Sequence, residues 1–441
     1  MTEQVELEVG PVAHGGHCVA RHEGRVVFVR HALPGERVRA QITETKRSYL
    51  RADAVEVLRP SPDRVAPPCP YAGPGACGGC DFQHVWPQAQ RRLKATVVAE
   101  QMARLGGLSG LEVTVEELPG GSLGWRTRQR YAVTQRGEAG LRRHRSHRVI
   151  PVDRCLLTSS AVDATGVTRR RWPDTAEILV AASSSAPEPA SKLAPEPTSD
   201  PVPGASAEAS EDQPVGGAGV TVAVRRSRDR SGRWHVISGD SMLTEHARGR
   251  VWRVAATGFW QVHPAAADTL AQAVVEGLQP QAGERCLDLY AGAGLFAGVL
   301  GELVGASGQV TALEGGRRAA ALAVENLSDL PQVSVRQRTV SAAAISEAVR
   351  GPGAGATAGG EVDLVVVDPP RTGAGREVVE AIVAARPRGV SYVACDPASL
   401  ARDVALFRSH GYELAILRAF DLFPMTHHVE CVATLARPSA A

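Results

Sequence analysis

Over residues 1–62, apolar and polar positions alternate in short runs: V-E-L-E-V, G-R-V-V-F-V, E-R-V-R-A-Q-I and A-V-E-V-L. A period of two marks half-buried strands, and Gly15-Gly16, Glu23-Gly24 and Pro34-Gly35 interrupt the runs as turns. Four or five short strands at that spacing predict a small β-barrel of OB type, an architecture that often holds nucleic acid. Residues 63–250 mix a helical stretch over 88–105 with strand-like runs such as V-T-V-A-V, and read as an α+β central domain. From residue 251 the pattern becomes strand, glycine-rich turn, helix, repeated. The apolar runs R-C-L-D-L, Q-V-T-A-L-E, D-L-V-V-V-D and G-V-S-Y-V-A-C predict a doubly wound, Rossmann-like α/β sheet over 251–441.

In such a sheet the carboxyl ends of parallel strands form one rim, and ligands bind there. Two strands end abruptly in polar residues, Asp368-Pro369-Pro370-Arg371 after one and Cys395-Asp396-Pro397 after the other. Acid, arginine and thiol are thus expected at a single rim, with Cys395 as candidate nucleophile. Pro397 suits the first turn of a helix, and Asp396 its N-cap. A helix N-terminus lowers a thiol pKa, while the adjacent Asp396 charge opposes part of that. In D-L-Y-A-G-A-G-L-F, Gly292 and Gly294 let backbone come close to a ligand, but the third glycine of a dinucleotide site is missing. That run fits adenosylmethionine better, since it has no pyrophosphate to cradle. Glu314, ending the next strand, is placed to accept hydrogen bonds from ribose hydroxyls.

Composition sharpens the middle of the chain. At 441 residues there is room for two or three domains, and 44% hydrophobic residues indicate a globular protein. No apolar run is long enough to cross a bilayer and the N-terminus shows no signal peptide, so a cytoplasmic monomer is expected. Eight cysteines in that setting favour metal or catalysis over disulfides. Cys69, Cys77 and Cys80 stand in a glycine- and proline-rich stretch that wraps backbone around something, and Cys155 is the nearest later fourth ligand. Four thiolates suit zinc or a [4Fe–4S] cluster. The lone, distant fourth cysteine favours iron–sulfur. Cys18 and Cys286 lie in apolar runs and are assigned to packing.

The whole chain carries +2, the segment 183–217 carries −5, and the remainder +7. That segment, rich in Ala, Pro, Ser and Glu, reads as a disordered insertion in the central domain. Eight arginines fall between Trp125 and Arg148, with Arg126, Arg128 and Arg130 at alternate positions and Trp125 and Tyr131 among them. On a strand those three would share a face for RNA phosphates, the aromatics stacking bases; a merely solvated face is the plainer alternative.

The first 62 residues resemble a TRAM domain, a small RNA-binding barrel, most clearly in H-G-G-H-C-V-A-R-H-E-G-R-V-V-F-V and A-L-P-G-E-R-V. The half from about residue 258 resembles the RNA (uracil-5-)-methyltransferase family, a class I adenosylmethionine-dependent fold, in F-W-Q-V-H, D-L-Y-A-G-A-G-L-F, A-L-E, D-P-P-R-T-G, Y-V-A-C-D-P-A-S-L-A-R-D and H-H-V-E-C-V-A-T-L. With the cysteine cluster in front, the chain is most similar to the iron–sulfur branch acting on ribosomal or transfer RNA. The resemblance implies cofactor contacts from Gln261, Tyr290, Glu314 and Asp368, a nucleophile at Cys395 and a base at Glu430. Leu295 and His263 depart from it, each standing where asparagine is common.

The implied chemistry explains the residue types. Uracil C5 is too weak a nucleophile to take a methyl group directly. A thiolate adding to C6 makes C5 an enolate carbon, and a carboxylate must afterwards remove the C5 proton so that the thiol can leave. Ribosomal RNA is the favoured substrate. The rival from another class is a non-catalytic RNA-binding or iron–sulfur sensing protein on the same scaffold, against which intact Cys395 and Glu430 argue.

Overall fold

A computed structural model describes residues 3–184, 219–350 and 361–438. The insertion expected over 183–217 lies, but for its first two residues, outside the described residues, as does the loop expected over 351–360.

The N-terminal sheet has six strands, more than the four or five expected. Alternation works as predicted: in Gln4–Glu8 the side chains of Val5 and Leu7 are buried while Gln4, Glu6 and Glu8 face out. Strand Arg25–Arg30 runs parallel to Tyr49–Arg59, and Gly10 N–H donates to the Val19 carbonyl at 2.7 Å. The sheet thereby wraps one core of Val27, Val29, Val38 and Ala52. Glu36, fully buried, accepts from Arg64 at 2.6 and 2.7 Å and from the Leu33 and Ser61 amides, fastening the barrel to the segment that follows.

The central sheet is antiparallel and six-stranded, with Arg128–Val133 and Thr175–Ala182 at its middle. The third sheet has eight strands. Val333–Gln337, Gln309–Glu314, Arg285–Leu289, Leu364–Val367 and Gly389–Ala394 are parallel, Glu430–Ala436 is antiparallel, and Glu413–Phe420 follows. Helices cover both faces, which is why these strands are apolar on both sides. Two pieces from earlier in the chain join this body. Val115–Glu116 adds the eighth strand beside Glu413–Phe420, and helix Pro87–Arg104 sinks Val98 and Met102 into the same core. Strand order reverses between Arg285–Leu289 and Leu364–Val367, opening the crevice in which such sheets bind ligands. Among the described residues no helix is long and apolar enough to cross a membrane.

Candidate active site

Cys395 directly follows strand Gly389–Ala394, and Glu430 opens strand Glu430–Ala436. The antiparallel ladder pairs Gly389 with Ala436 and ends with Ala394 opposite Cys431. One further step of that register sets Glu430 beside Cys395. Two residues 35 positions apart are therefore brought together by strand pairing, at the rim where Asp368 leaves its own strand. Cys431 points the other way, fully buried in the apolar core.

Electrostatics follow from that crowding. Burial pushes the Cys395 thiol up to about 11, Glu430 and Asp368 reinforce the shift, and the Arg371 guanidinium opposes it. Burial and then Asp368 hold the Glu430 carboxyl well above the usual carboxylate range, with Arg371 again opposing. Asp368 itself is raised to about 7 by burial. Arg371 thus acts on both Cys395 and Glu430, and its loop is pinned. Asp403 accepts from the Ala374 and Gly375 amides at 2.7 and 3.2 Å and from the Tyr392 hydroxyl at 2.6 Å. Gly373 makes this possible: its φ is +90°, and a Cβ there would meet the Asp403 carboxylate at 2.7 Å. Asp396 caps helix Pro397–Ser409, accepting from Ser399 N–H at 2.8 Å, and Pro397 takes the first turn as expected. Its charge also meets His14 of the barrel at 2.9 Å, so the anion next to the thiol is partly compensated.

The glycine turn lies across the crevice. Tyr290 adopts a left-handed φ of +66°, an unusual conformation for a side-chain-bearing residue and one that collects at functional sites. Gly292 has a φ of +57°, and a Cβ there would project into open space, leaving its backbone free for close approach by a ligand. Glu314 accepts from the Gly292 and Gly316 amides at 2.8 and 2.6 Å, so its carboxylate shapes the turn as well as facing the crevice. Asp288, not singled out from the sequence, is fully buried; one oxygen accepts from Ala297 N–H at 2.8 Å and the other has no partner. Burial raises it to about 7. The strand ends bring Tyr290, Glu314 and Asp368 to one rim: Tyr290 N–H donates to the Leu313 carbonyl and Asp368 N–H to that of Leu289. Gln261 is half-buried in the segment before helix Ala266–Leu278, where the neighbouring Val262 carbonyl accepts from Thr127. Open glycine backbone, an orphaned buried oxygen and carboxylates at a strand switch suit a polar, cationic, nucleoside-bearing cofactor such as adenosylmethionine.

The loop leading into Glu430 is held by residues from far earlier in the chain. Lys94 reaches Asp421 at 2.5 Å and the Phe423 carbonyl at 3.1 Å, while Gln90 accepts from Met425 N–H at 2.8 Å. Asp81, next to Cys80, accepts from His427 at 2.5 Å. His14, Arg371, Cys395, His427 and His428 line a cavity of about 80 Å³. The sequence offered H-H-V-E as a signal for the two adjacent histidines; nothing local marked His14 or Lys94.

Cys69, Cys77, Cys80 and Cys155 line one further cavity together with Arg126. Among the described residues no group of three or more His, Cys, Asp or Glu side chains is gathered tightly enough for a single metal ion. Gly79 N–H donates to Cys77 Sγ and Gln83 to Cys80 Sγ, both at 3.4 Å, while burial pushes the Cys77 thiol up to about 11 and the Cys80 thiol up to about 12.

The expected basic face on Arg126, Arg128 and Arg130 is not one. Arg126 turns in beside the cysteines, and Arg128 is buried on Glu245 at 3.3 Å and on the carbonyls of Ala255, Ala256 and Gly258. Only Arg130 is exposed, stacked over Trp234. Trp125 and Tyr131 are buried and offer no stacking surface. Burial along Arg128–Val133 does not alternate: the 255–258 segment covers Arg128, whose charge finds a partner there, and leaves Arg130, two positions on, open.

Residues 3–55 match the TRAM domain family, and residues 240–438 match the tRNA (Uracil-5-)-methyltransferase family. An "Uncharacterized RNA methyltransferase" of Streptomyces avermitilis is 49% identical, over 99% of this chain and 98% of that protein. A 23S rRNA (uracil(1939)-C(5))-methyltransferase RlmD of Shewanella sp. is 30% identical, over 98% of this chain and 96% of that one. Among solved structures, the Pyrococcus abyssi tRNA (uracil-54, C5)-methyltransferase in complex with S-adenosyl-L-homocysteine covers 97% of this chain and 100% of its own, with a TM-score of 0.65 and 20% identity, a likeness of fold.

Proposed function

The chain belongs to the RNA (uracil-5-)-methyltransferase family, and on that premise we propose that it methylates C5 of a uridine in ribosomal RNA through a transient bond between Cys395 and C6 of the ring. The observation that carries the proposal is the register placing Glu430 beside Cys395, with Arg371 acting on both. Cys395 gives up its proton to solvent, Arg371 stabilises the thiolate, and the thiolate adds to C6 as the C5–C6 pair moves into the enolate. Adenosylmethionine, when bound, supplies the methyl group to C5. Glu430, once ionised, takes the C5 proton; the electron pair restores the C5–C6 double bond and the Cys395 thiolate departs. Gln261, Tyr290, Glu314 and Asp368 hold the cofactor in this reading. Ribosomal rather than transfer RNA is favoured by the name of the Shewanella relative, which covers nearly the whole chain.

The four-cysteine cavity is assigned to a [4Fe–4S] cluster ligated by Cys69, Cys77, Cys80 and Cys155. Its support is the shared cavity and the N–H donors on sulfur. When bound, the cluster would cross-link the cysteine loop to the segment before residue 160. Protein purified without oxygen should be brown with broad visible absorption; colourless protein carrying stoichiometric zinc overturns the assignment.

The catalytic reading is tested by incubating the protein with tritiated adenosylmethionine and ribosomal RNA from a strain lacking it. Cys395→Ala should abolish incorporation. Glu430→Gln should methylate but fail to release, leaving a protein–RNA adduct that survives denaturing electrophoresis. Normal turnover by Cys395→Ala sinks the mechanism.

A further inference from the structure

A further cavity belongs to neither reactive centre. It measures about 530 Å³, within the range of small-molecule and nucleotide sites. One wall is the barrel, the other the cysteine loop over 73–76 and the turn over 143–146. Phe28 and His17 give it an aromatic lining, their rings edge-on at 4.8 Å, and the Arg51 guanidinium lies 5.5 Å from the Phe28 ring centre. Arg143 and Arg145 line the opposite wall and carry no ion pair among the described residues. Arginines around an aromatic platform are how single-stranded nucleic acid is gripped, by phosphate contacts and base stacking.

Two acids stand amid these cations: Glu44 is paired with Lys46 at 2.8 Å and with Arg51 at 3.2 Å, while the position of Asp53 asks for an explanation. Asp53 is only 9% exposed and lines the cavity, yet accepts no hydrogen bond from any side chain among the described residues. Its neighbours Arg30 and Arg143 act on it without pairing with it, since Arg30 is spent on Asp81 at 3.3 Å. A carboxylate enclosed in this way has two oxygens to offer to a ligand. Guanine presents two parallel donors, N1–H and the N2 amino group, on one edge, and two acceptors, O6 and N7, on the other. The carboxylate matches the first edge and an arginine the second. Uracil presents one donor between two acceptors and would set a carbonyl against the carboxylate.

We propose that this cavity binds a guanine of the RNA strand, a second recognition pocket beside the one for the target uridine. The inference rests on the proposed RNA substrate and goes beyond it by naming the base read and the residue that reads it. Continuity with the reactive slot supports a base in the strand over a free nucleotide. Gly16, adjoining the cavity residue His17, lies against the His427 side chain, and His427 lines the slot of Cys395. One strand can therefore serve both pockets.

The test reads binding, with the methyl donor omitted, so it can succeed or fail independently of Cys395 chemistry. Fluorescein-labelled RNA heptamers, all uridine or with a single guanine stepped through each position, are titrated with the full chain and followed by anisotropy. At least one guanine position should tighten binding roughly tenfold over all-uridine, the worth of one bidentate base contact. Asp53→Asn should erase that preference while leaving the all-uridine affinity unchanged, and Asp53→Ser should do likewise, both with wild-type circular dichroism. Arg51→Ala should weaken every heptamer alike. Guanosine 5′-monophosphate should compete only far above the heptamer's dissociation constant. Equal binding of guanine and uridine heptamers, no binding of any heptamer, a preference that survives in folded Asp53→Asn, or a monophosphate binding as tightly as the heptamer would each overturn the proposal.

Discussion

One buried acid and one thiol carry testable behaviour at the level of single residues. Asp288 has its carboxyl raised to about 7, above the value of about 3.9 for an unfolded chain. The native state therefore holds a proton that the unfolded state has lost between those two values, so stability falls as pH rises across the window. Asp288→Asn keeps an acceptor for Ala297 N–H and has no charge to bury. It should match the wild type at pH 4 and exceed it by roughly 2–4 kcal/mol at pH 8 in urea melts. The same change should weaken cofactor binding, because Asp288 stands one residue short of the end of the strand leading into the glycine turn and one of its oxygens has no partner; equal cofactor affinity would mean that the acid is structural only. Cys395, pushed up to about 11, is mostly thiol at neutral pH. Its iodoacetamide alkylation should climb roughly tenfold per pH unit from 7 to 10, and Arg371→Ala should slow it at every pH in that range. A plateau below pH 9 would contradict the burial argument.

Elements explain why some of this was legible and some not. Asp368 and Cys395 could be read from the sequence because each follows an uninterrupted apolar strand, and the rim is a property of parallel sheets in general. Glu430 needed more than its own strand, since its place beside Cys395 depends on the antiparallel register of Glu430–Ala436. Val115–Glu116 was invisible: two residues carry no periodicity, and what makes them a strand is the ladder to Ala419 and Phe420, with Arg418 clasping Glu116 at 2.7 and 2.8 Å. The arginines of Arg128–Val133 misled because alternation shows which residues share a face but not how far along that face a neighbouring segment covers it, and here the cover reaches Arg128 and stops short of Arg130. Helix Pro87–Arg104 was expected, but not its docking through Lys94 to Asp421. Both of these side chains are buried, so removing one strands the other's charge. Lys94→Met should cost about 3–5 kcal/mol in chemical denaturation, and adding Asp421→Leu should restore most of it. Failure of the second change to rescue the first would show that the pair is not acting as a unit.

At the scale of the whole molecule, the barrel is more than a separate RNA handle. His14 leans on Asp396, which raises the imidazole pKa through that hydrogen bond. A raised histidine contributes fully below about pH 6.5, its unfolded value, and that contribution is lost as pH rises through the folded value. His14→Ala should therefore speed hydrogen exchange at residues 396–399 relative to wild type at pH 6, the gap closing by pH 9. A gap that is absent at pH 6 would detach the barrel from the reactive helix. Strand Glu430–Ala436 has a further consequence, because it slots between Gly389–Ala394 and Glu413–Phe420, both made before it. On the proposed mechanism, a chain emerging from the ribosome therefore has no base with which to let go of a methylated uridine until that late strand threads the gap.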